Sequence, residues 1–316
     1  MTYNLVMNSN SVVQGSSNTR YSYAFHGGSF DILDEAELCV SNITMPYSWF
    51  NVSKAYQNLA FSITWDIAGT PTTIPLTLQE GFYTITDLNA AIQQLCILNG
   101  LYLINTAGNY IYYLTLLYNA STYGVQLVCS LVPSSLPAGW TQPPGFIGYP
   151  NVPSTPCLVL VSSSTLYQIL GFANGASYPP TPSLSPISYL SAFTPLGSNV
   201  NSLIIRCNLV SNEVGFPSDI LDTMPITSTF GSNINYSPPA LKWVKVSSGT
   251  YQKLEIQFVD QNLNSMTILD NNVCISLLLK NKGEAKKELF IEAPSVVDLG
   301  SSSMTERSGP KLIFRD

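Results

Sequence analysis

The residues of this 316-residue sequence that could do chemistry are few and scattered. The one histidine, His26, sits in YAFHGGSF. General-base work would need a partner nucleophile on a strained turn, and no GxSxG elbow occurs, so His26 reads as a turn or strand-end residue. The acids Asp31, Asp34, Glu35 and Glu37 crowd one segment, as a glycoside-type pair of carboxylates would require. Their spacing is instead that of a solvated loop leading into a strand. Gly27-Gly28 is too short a glycine run to cradle phosphate, and neither a P-loop nor GxGxxG is present. The six cysteines (Cys39, Cys96, Cys129, Cys157, Cys207, Cys274) have no CxxC pairing and no nearby histidine. That spread argues against a zinc site or a disulfide framework. Runs such as LVCSLV and VCISLLL use cysteine as a small core hydrophobe. These patterns lead us to expect no catalytic residues, no metal, no cofactor and no small-molecule ligand.

Composition points the same way. The chain is 45% hydrophobic and only 10% charged, against about 25% charged in ordinary globular domains. Its polarity comes from Ser, Thr, Asn, Gln, Tyr and Pro, which suit strands, turns and surfaces that can be dried without stranding a charge. Residues 1–241 carry a net charge of −7, and residues 242–316 a net of +1. From Leu88 to Ile205 no Asp, Glu, Lys or Arg occurs. A surface left that bare is expected to be covered by partner chains, since exposed surfaces need charge for solubility. The acidic balance disfavours nucleic acid as a partner. MTYNLVMNSN lacks the basic and apolar regions of a signal peptide, and no apolar run reaches the roughly 18 residues of a membrane span. The compartment expected during synthesis is reducing and intracellular, which makes the sequons at Asn42, Asn51, Asn119 and Asn235 chance occurrences.

Short β-type runs separated by turn residues dominate. ELCVSNITM (37–45) alternates strictly, placing Leu38, Val40, Asn42 and Thr44 opposite Cys39, Ser41, Ile43 and Met45. LAFSITWD (59–66) puts Leu59, Phe61, Ile63 and Trp65 on one face, and TIPLTL (73–78) is an edge strand because Pro75 cannot donate to a ladder. Thr84 and Asp87 form a capping box for a helix carrying Leu88, Ile92, Leu95 and Cys96, which stops at Asn99-Gly100. Strands are expected at 101–105, 110–118 and 124–132. The aromatic 110–118 run should be covered on both faces. Residues 133–156 carry seven prolines and read as loop. A strand at 157–163 and a short helix at 164–172 follow, the helix ended by Gly171. Residues 173–200 are again Pro/Ser/Gly-rich. Four strands (202–210, 241–246, 254–260, 273–280) close the pattern, with turns at Ser248-Gly249 and Asp270–Asn272. About ten strands and one long helix imply an all-β antiparallel sandwich.

Several stretches, in this order, carry a resemblance: ITMPYSWFNVSKAYQNLAF (43–61), LQEGFYTITDLNAAIQ (78–93), LYQILGF (166–172), SLIIRCNLVSNEV (202–214) and DILDTMPI (219–226). Together they resemble the jelly-roll capsid proteins of virophages, polinton-like viruses and related large DNA viruses. Major capsid proteins of that group are longer double jelly rolls, so a chain of this length is similar to the single-jelly-roll penton (vertex) proteins of the Sputnik and Mavirus type. The resemblance implies a jelly-roll β-sandwich formed by residues 1–80 and 195–282, and an inserted upper domain, mainly β with one or two short helices, over 81–194. It implies a non-enzymatic subunit of an icosahedral virion that forms homopentamers and contacts a neighbouring major capsid protein, synthesised in the host cytoplasm or virus factory. Packing and assembly roles would fall to Pro46, Tyr47, Trp49, Asn51, Tyr56, Gly81, Tyr83, Leu88, Ile92, Leu170, Gly171 and Phe172. Two alternatives stay open: another jelly-roll subunit of the shell, and a carbohydrate-binding or host-attachment jelly roll.

Residues 283–316 follow the last strong strand and are expected to form an extended arm. The cluster Lys280, Lys282, Lys286 and Lys287 is interleaved with Glu284 and Glu288. Two short apolar runs, ELFIEA (288–293) and KLIFRD (311–316), are the kind that can dock as added strands on a neighbour.

Overall fold

The structure, a computed structural model, describes residues 1–212 and 215–281. The first fifty residues form β1 (Thr2–Met7), β2 (Arg20–Ala24), β3 (Phe30–Ile32) and β4 (Glu37–Pro46). Next come β5 (Ala60–Ile67), β6 (Thr70–Thr77), α1 (Ile85–Leu98), β7 (Tyr102–Ile104), β8 (Tyr110–Tyr112) and β9 (Leu114–Asn119). They are followed by β10 (Gly124–Cys129), β11 (Cys157–Val159), α2 (Leu166–Leu170), β12 (Ser177–Tyr178) and β13 (Ile187–Leu190). The chain continues with β14 (Ser202–Cys207), β15 (Ile220–Pro225), β16 (Asn233–Tyr236), β17 (Val244–Lys245), β18 (Gly249–Tyr251), β19 (Lys253–Asp260) and β20 (Cys274–Lys280).

Eight of these strands make a jelly roll. One sheet runs β1-β20-β4-β16 and the other β15-β14-β19-β2, all pairs antiparallel. Counted along the chain, the sheets hold strands 1-8-3-6 and 5-4-7-2, the order of two Greek keys wrapped face to face. Their inner faces share one apolar cluster, which includes Leu5, Tyr21, Leu38, Met45, Leu203, Ile256, Phe258 and Leu277.

Strand β4 departs from the strict alternation expected of it. Ser276 lies opposite Asn42 and Leu277 opposite Val40, so Ser41 is one residue too many and forms a β-bulge. The extra residue shifts the phase, and Leu38, Val40, Ile43 and Met45 all reach the same core.

The segment between the third and fourth sandwich strands builds a second apolar cluster. It takes in Val52, Phe61, Trp65, Leu88, Ile92, Leu127, Leu170 and Phe172. Around it lie the sheets β12-β11-β5-β6 and β13-β10-β9, the β7–β8 hairpin and both helices. Strands β5 and β6, expected with the sandwich, join this second cluster. Period-2 alternation is the same whichever core the buried face meets.

The helix expectation holds at both ends. Thr84 Oγ1 accepts the Asp87 N–H at 3.2 Å, and the Thr84 N–H donates to Asp87 Oδ2 at 3.0 Å. Gly100, at φ +67°, follows the Asn99 C-cap. Leu88, Ile92 and Cys96 are buried, while Leu95 is half-buried against the same cluster. Gly171 ends α2 in the left-handed region at φ +72°, and β6 is the edge strand that Pro75 required.

Other expectations need correction. The 110–118 run is not one strand: it breaks at Tyr113 into β8 and β9, which belong to different sheets. Tyr113 is buried with its ring 5.7 Å from Trp65, and this anchor bends the chain. Tyr110 is 48% exposed, so β8 is not covered on both faces. The 173–200 segment holds two short strands, β12 and β13. Gly249 opens β18, which pairs with β3, and is not the centre of a turn. The expected arm lies outside the described residues.

Candidate assembly site at the neck

The two clusters meet where the chain leaves β4 and where it returns to β14. Pro46 ends β4 opposite Asn233. Tyr47 continues the pairing, its N–H donating to Ser232 O and its O accepting from Gly231 N, both at 2.9 Å. Tyr47 and Trp49 then turn into the sandwich core, with ring centroids 4.4 Å apart. The Tyr47 ring meets Phe82 and Phe230 edge-on at 5.6 and 5.7 Å, and those two stack at 4.4 Å. Phe82 comes from the inserted segment and Phe230 from the sandwich, so this aromatic cluster spans the junction. Burial pushes the Tyr47 hydroxyl above its ordinary pKa, partly countered by the 3.1 Å bond it donates to Ser198 Oγ.

Asn51, 1% exposed, ties three segments together. Its Nδ2 donates to Tyr83 O at 2.8 Å and to Gly197 O at 3.0 Å, and its Oδ1 accepts the Tyr83 N–H at 2.8 Å. Its main-chain oxygen accepts from Asn58 Nδ2 at 2.7 Å and Asn199 Nδ2 at 2.8 Å. The outgoing segment (51–58), the loop before α1 and the returning segment (197–199) thus converge on one residue. An amide suits this point because it offers donors and an acceptor with no charge to bury.

Neighbouring contacts extend the hub. Val52 and Gly81 exchange main-chain bonds of 3.0 and 2.9 Å. A Cβ on Gly81 would stand 2.8 Å from the Tyr83 ring, so only glycine lets that ring close over the bridge. Thr165 donates from Oγ1 to Tyr56 O at 2.6 Å and from N to Gln57 O at 2.9 Å. Tyr56 packs on the sandwich cluster, and burial, with the Asp260 and Tyr47 charges behind it, pushes its pKa up to about 12. Gly171 leaves room for a strap: a Cβ there would lie 2.3 Å from Phe193 O. Phe193 N donates to Gly171 O and Leu196 N to Gln168 O, each at 2.9 Å.

Of the residues expected to act in packing and assembly, Pro46, Tyr47, Trp49, Asn51, Tyr56, Gly81 and Tyr83 come together at the neck, and Gly171 anchors its strap. Leu88, Ile92, Leu170 and Phe172 lie instead inside the second cluster. Sequence reasoning missed Asn58, Ser198, Asn199, Phe82 and Phe230. Asn58 and Phe82 lay within stretches that had been singled out, whereas Ser198 and Asn199 were hidden in a segment legible only as Ser/Gly-rich.

The other candidate groups stay apart. His26 sits exposed in the turn between β2 and β3. Asp31 accepts from Thr250 Oγ1 at 2.6 Å, Glu35 faces Lys245 and Glu37 faces Lys280, both at 3.9 Å. Glu37 opens β4 at the end opposite Pro46, so these acids lie away from the neck, each with its own partner. Five cysteines are buried and Cys274 is exposed. Among the described residues no helix is long and apolar enough to cross a membrane.

Beside the hub runs an uncharged groove lined by Phe82, Tyr83, Tyr118, Tyr123, Ile169 and Leu196. What the neck assembles is amides, the phenols of Tyr47, Tyr56 and Tyr83, aromatic rings and main-chain carbonyls. Such a set of uncharged groups fixes geometry through hydrogen bonds and ring packing.

No protein family and no curated protein matches the chain. Among solved structures, it is similar to the crystal structure of a selenomethionine-labelled mavirus penton protein. The identity is 12%, over 89% of this chain and 99% of that one, with a TM-score of 0.44.

Proposed function

We propose that this protein is a non-catalytic structural subunit of a virus capsid, placed at the vertices as a homopentamer beside a major capsid protein. The observation that carries the reading is the eight-stranded jelly roll with its insertion between the third and fourth strands, locked at the neck by Asn51. Sandwich walls supply a rigid wedge, and copies of one wedge close a ring through heterologous contacts. A single roll suits a vertex, because facet capsomers with pseudo-hexagonal outlines need two rolls per chain.

The division of labour follows from the two clusters: residues 1–50 and 198–281 are the shell-forming sandwich, and residues 51–197 are the outward unit. Tyr47, Trp49, Asn51, Tyr56, Gly81, Tyr83 and Gly171 hold the two in one orientation. The absence of charge from Leu88 to Ile205 supports contact surfaces in the outward unit, where aromatic groups are effective and unpaired charges costly. Native mass spectrometry of the purified protein and its location in particles test the reading. Five copies at each vertex are expected, and a trimer tiling the facets would overturn the vertex position.

A further inference from the structure

Sheet edges expose unpaired main-chain groups, and proteins normally protect them. This chain protects the outer edges of β6, β9, β2 and β15. Strand β6 carries Pro71 and Pro75 on its free edge. The free edge of β9 meets α1, where Asn89 Oδ1 accepts the Leu116 N–H at 2.8 Å. Strand β2 is bridged by Val12 opposite Tyr21. Strand β15 carries Asp222 and Pro225.

Strand β1 has none of these devices. Its six residues, TYNLVM, contain no proline and no charge. Met1 and Asn281 exchange main-chain bonds of 3.1 and 2.9 Å, so Met1–Asn281 is a hydrogen-bonded pair of the ladder with β20. By alternation, Tyr3, Leu5 and Met7 also bond to β20, while the N–H and C=O of Thr2, Asn4 and Val6 point away from it. Among the described residues β1 pairs with β20 alone. Thr2, Asn4 and Val6 are exposed, and Val6 is 47% so.

We infer that the free edge of β1 receives a strand from the C-terminal segment of a second copy of this chain, residues 288–293 (ELFIEA) being the segment that docks. The inference rests on the assembly reading and names one of its contacts. The described chain stops at Asn281, at the foot of β1, and the six residues 282–287 that precede ELFIEA span up to about 20 Å when extended, enough for a β1 edge of an adjoining subunit that lies close by. The ELFIEA run has six residues, as β1 does, about 20 Å of strand, and period-2 alternation would put Leu289 and Ile291 on one face and Glu288, Phe290 and Glu292 on the other. Docking within one chain would force the segment to cross the foot of β1 and pair parallel to it. A segment arriving from a neighbour is free to pair antiparallel, the more stable ladder.

The test is hydrogen exchange on β1 in oligomers of the full chain, compared with a chain ending at residue 283. The inward amides of Tyr3, Leu5 and Met7 serve as reference. In the full chain the outward amides of Thr2, Asn4 and Val6 should exchange about tenfold or more slowly than in the truncated one. Equal exchange in the two chains overturns the assignment. Asn4→Pro removes one outward donor and leaves the ladder to β20 intact, so that variant should melt like the wild type and incorporate poorly. Normal incorporation overturns the proposal, and if the variant does not fold the truncation comparison decides alone. Paired cysteines at Asn4 and Phe290, in a Cys274→Ser background, should cross-link between subunits, whereas a cross-link within one chain refutes docking in trans. Trimers with protected outward amides would remove only the vertex reading, and pentamers with unprotected ones only this contact.

Discussion

The Asn51 side chain and the Tyr83 main chain bond to each other twice, Nδ2 to O and N–H to Oδ1, both at 2.8 Å. Side-chain amides that mimic a strand in this way leave no slack, since rotating either group breaks both bonds. Asn51→Ala would remove the partner of the Tyr83 N–H and C=O and of the Gly197 C=O at once. Losing these bonds should cost about 3 kcal/mol, read as a lower denaturant midpoint at unchanged slope. The same variant should become sensitive to proteolysis around residues 193–201. Asn51→Asp should do no better, because it replaces the donor with an oxygen facing two carbonyls. Wild-type stability in both variants would remove the hub from the account.

Ile92 sits 3% exposed on the inward face of α1. Ile92→Asp places a carboxylate among the apolar side chains of the second cluster. The expected loss is about 3–4 kcal/mol, seen as a lowered melting temperature. An unchanged melting temperature would refute the packing of α1.

Burial pushes the thiol pKa values of Cys96, Cys129 and Cys207 up to about 12, and that of Cys157 to about 11. A thiolate is the reactive species, so at pH 8 a disulfide reagent should modify Cys274 quickly and all six cysteines only in denaturant. The sign of the pH effect follows. Above the unfolded value of about 9 the unfolded chain ionises these thiols while the folded one keeps them protonated, so stability should fall as pH rises from about 9 towards 12. A flat or rising melting temperature across that window would contradict the burial of these four groups.

Gly171 combines a left-handed φ of +72° with a site where a Cβ would stand 2.3 Å from Phe193 O. Gly171→Ala should therefore cost more than the roughly 1 kcal/mol of an ordinary left-handed alanine. It should also release the 193–197 strap, detectable as faster amide exchange at Phe193 and Leu196. Slow exchange at both positions would show that the strap does not depend on this glycine.

Strong local signals were legible in the sequence. The Thr84–Asp87 box, the Phe61-Ile63-Trp65 face and Gly171 all lie where their chemistry requires, because each depends on neighbours in the chain. Strands β2, β15 and β16 escaped notice because four to six mixed-polarity residues show no clear period and are fixed by their partners. The Ser41 bulge was invisible for the same reason: nothing in ELCVSNITM says that β20 will skip a residue opposite it. The neck was half legible. Tyr47, Trp49 and Asn51 lay in a stretch singled out by resemblance, but their meeting with Ser198 and Asn199, about 150 positions away, is a property of the closed fold.

Because the chain leaves and re-enters the sandwich at one end, with Asn199 bonded back to Asn51, residues 52–196 amount to a graft on a finished scaffold. The eight strands close without threading through it. Selection can therefore rewrite the inserted unit, lengthen its loops or exchange it wholesale while the eight-stranded roll keeps its own packing, provided the few neck groups survive. The pace of sequence divergence should accordingly differ between the two parts, fast in the graft and slow in the roll and at the seam.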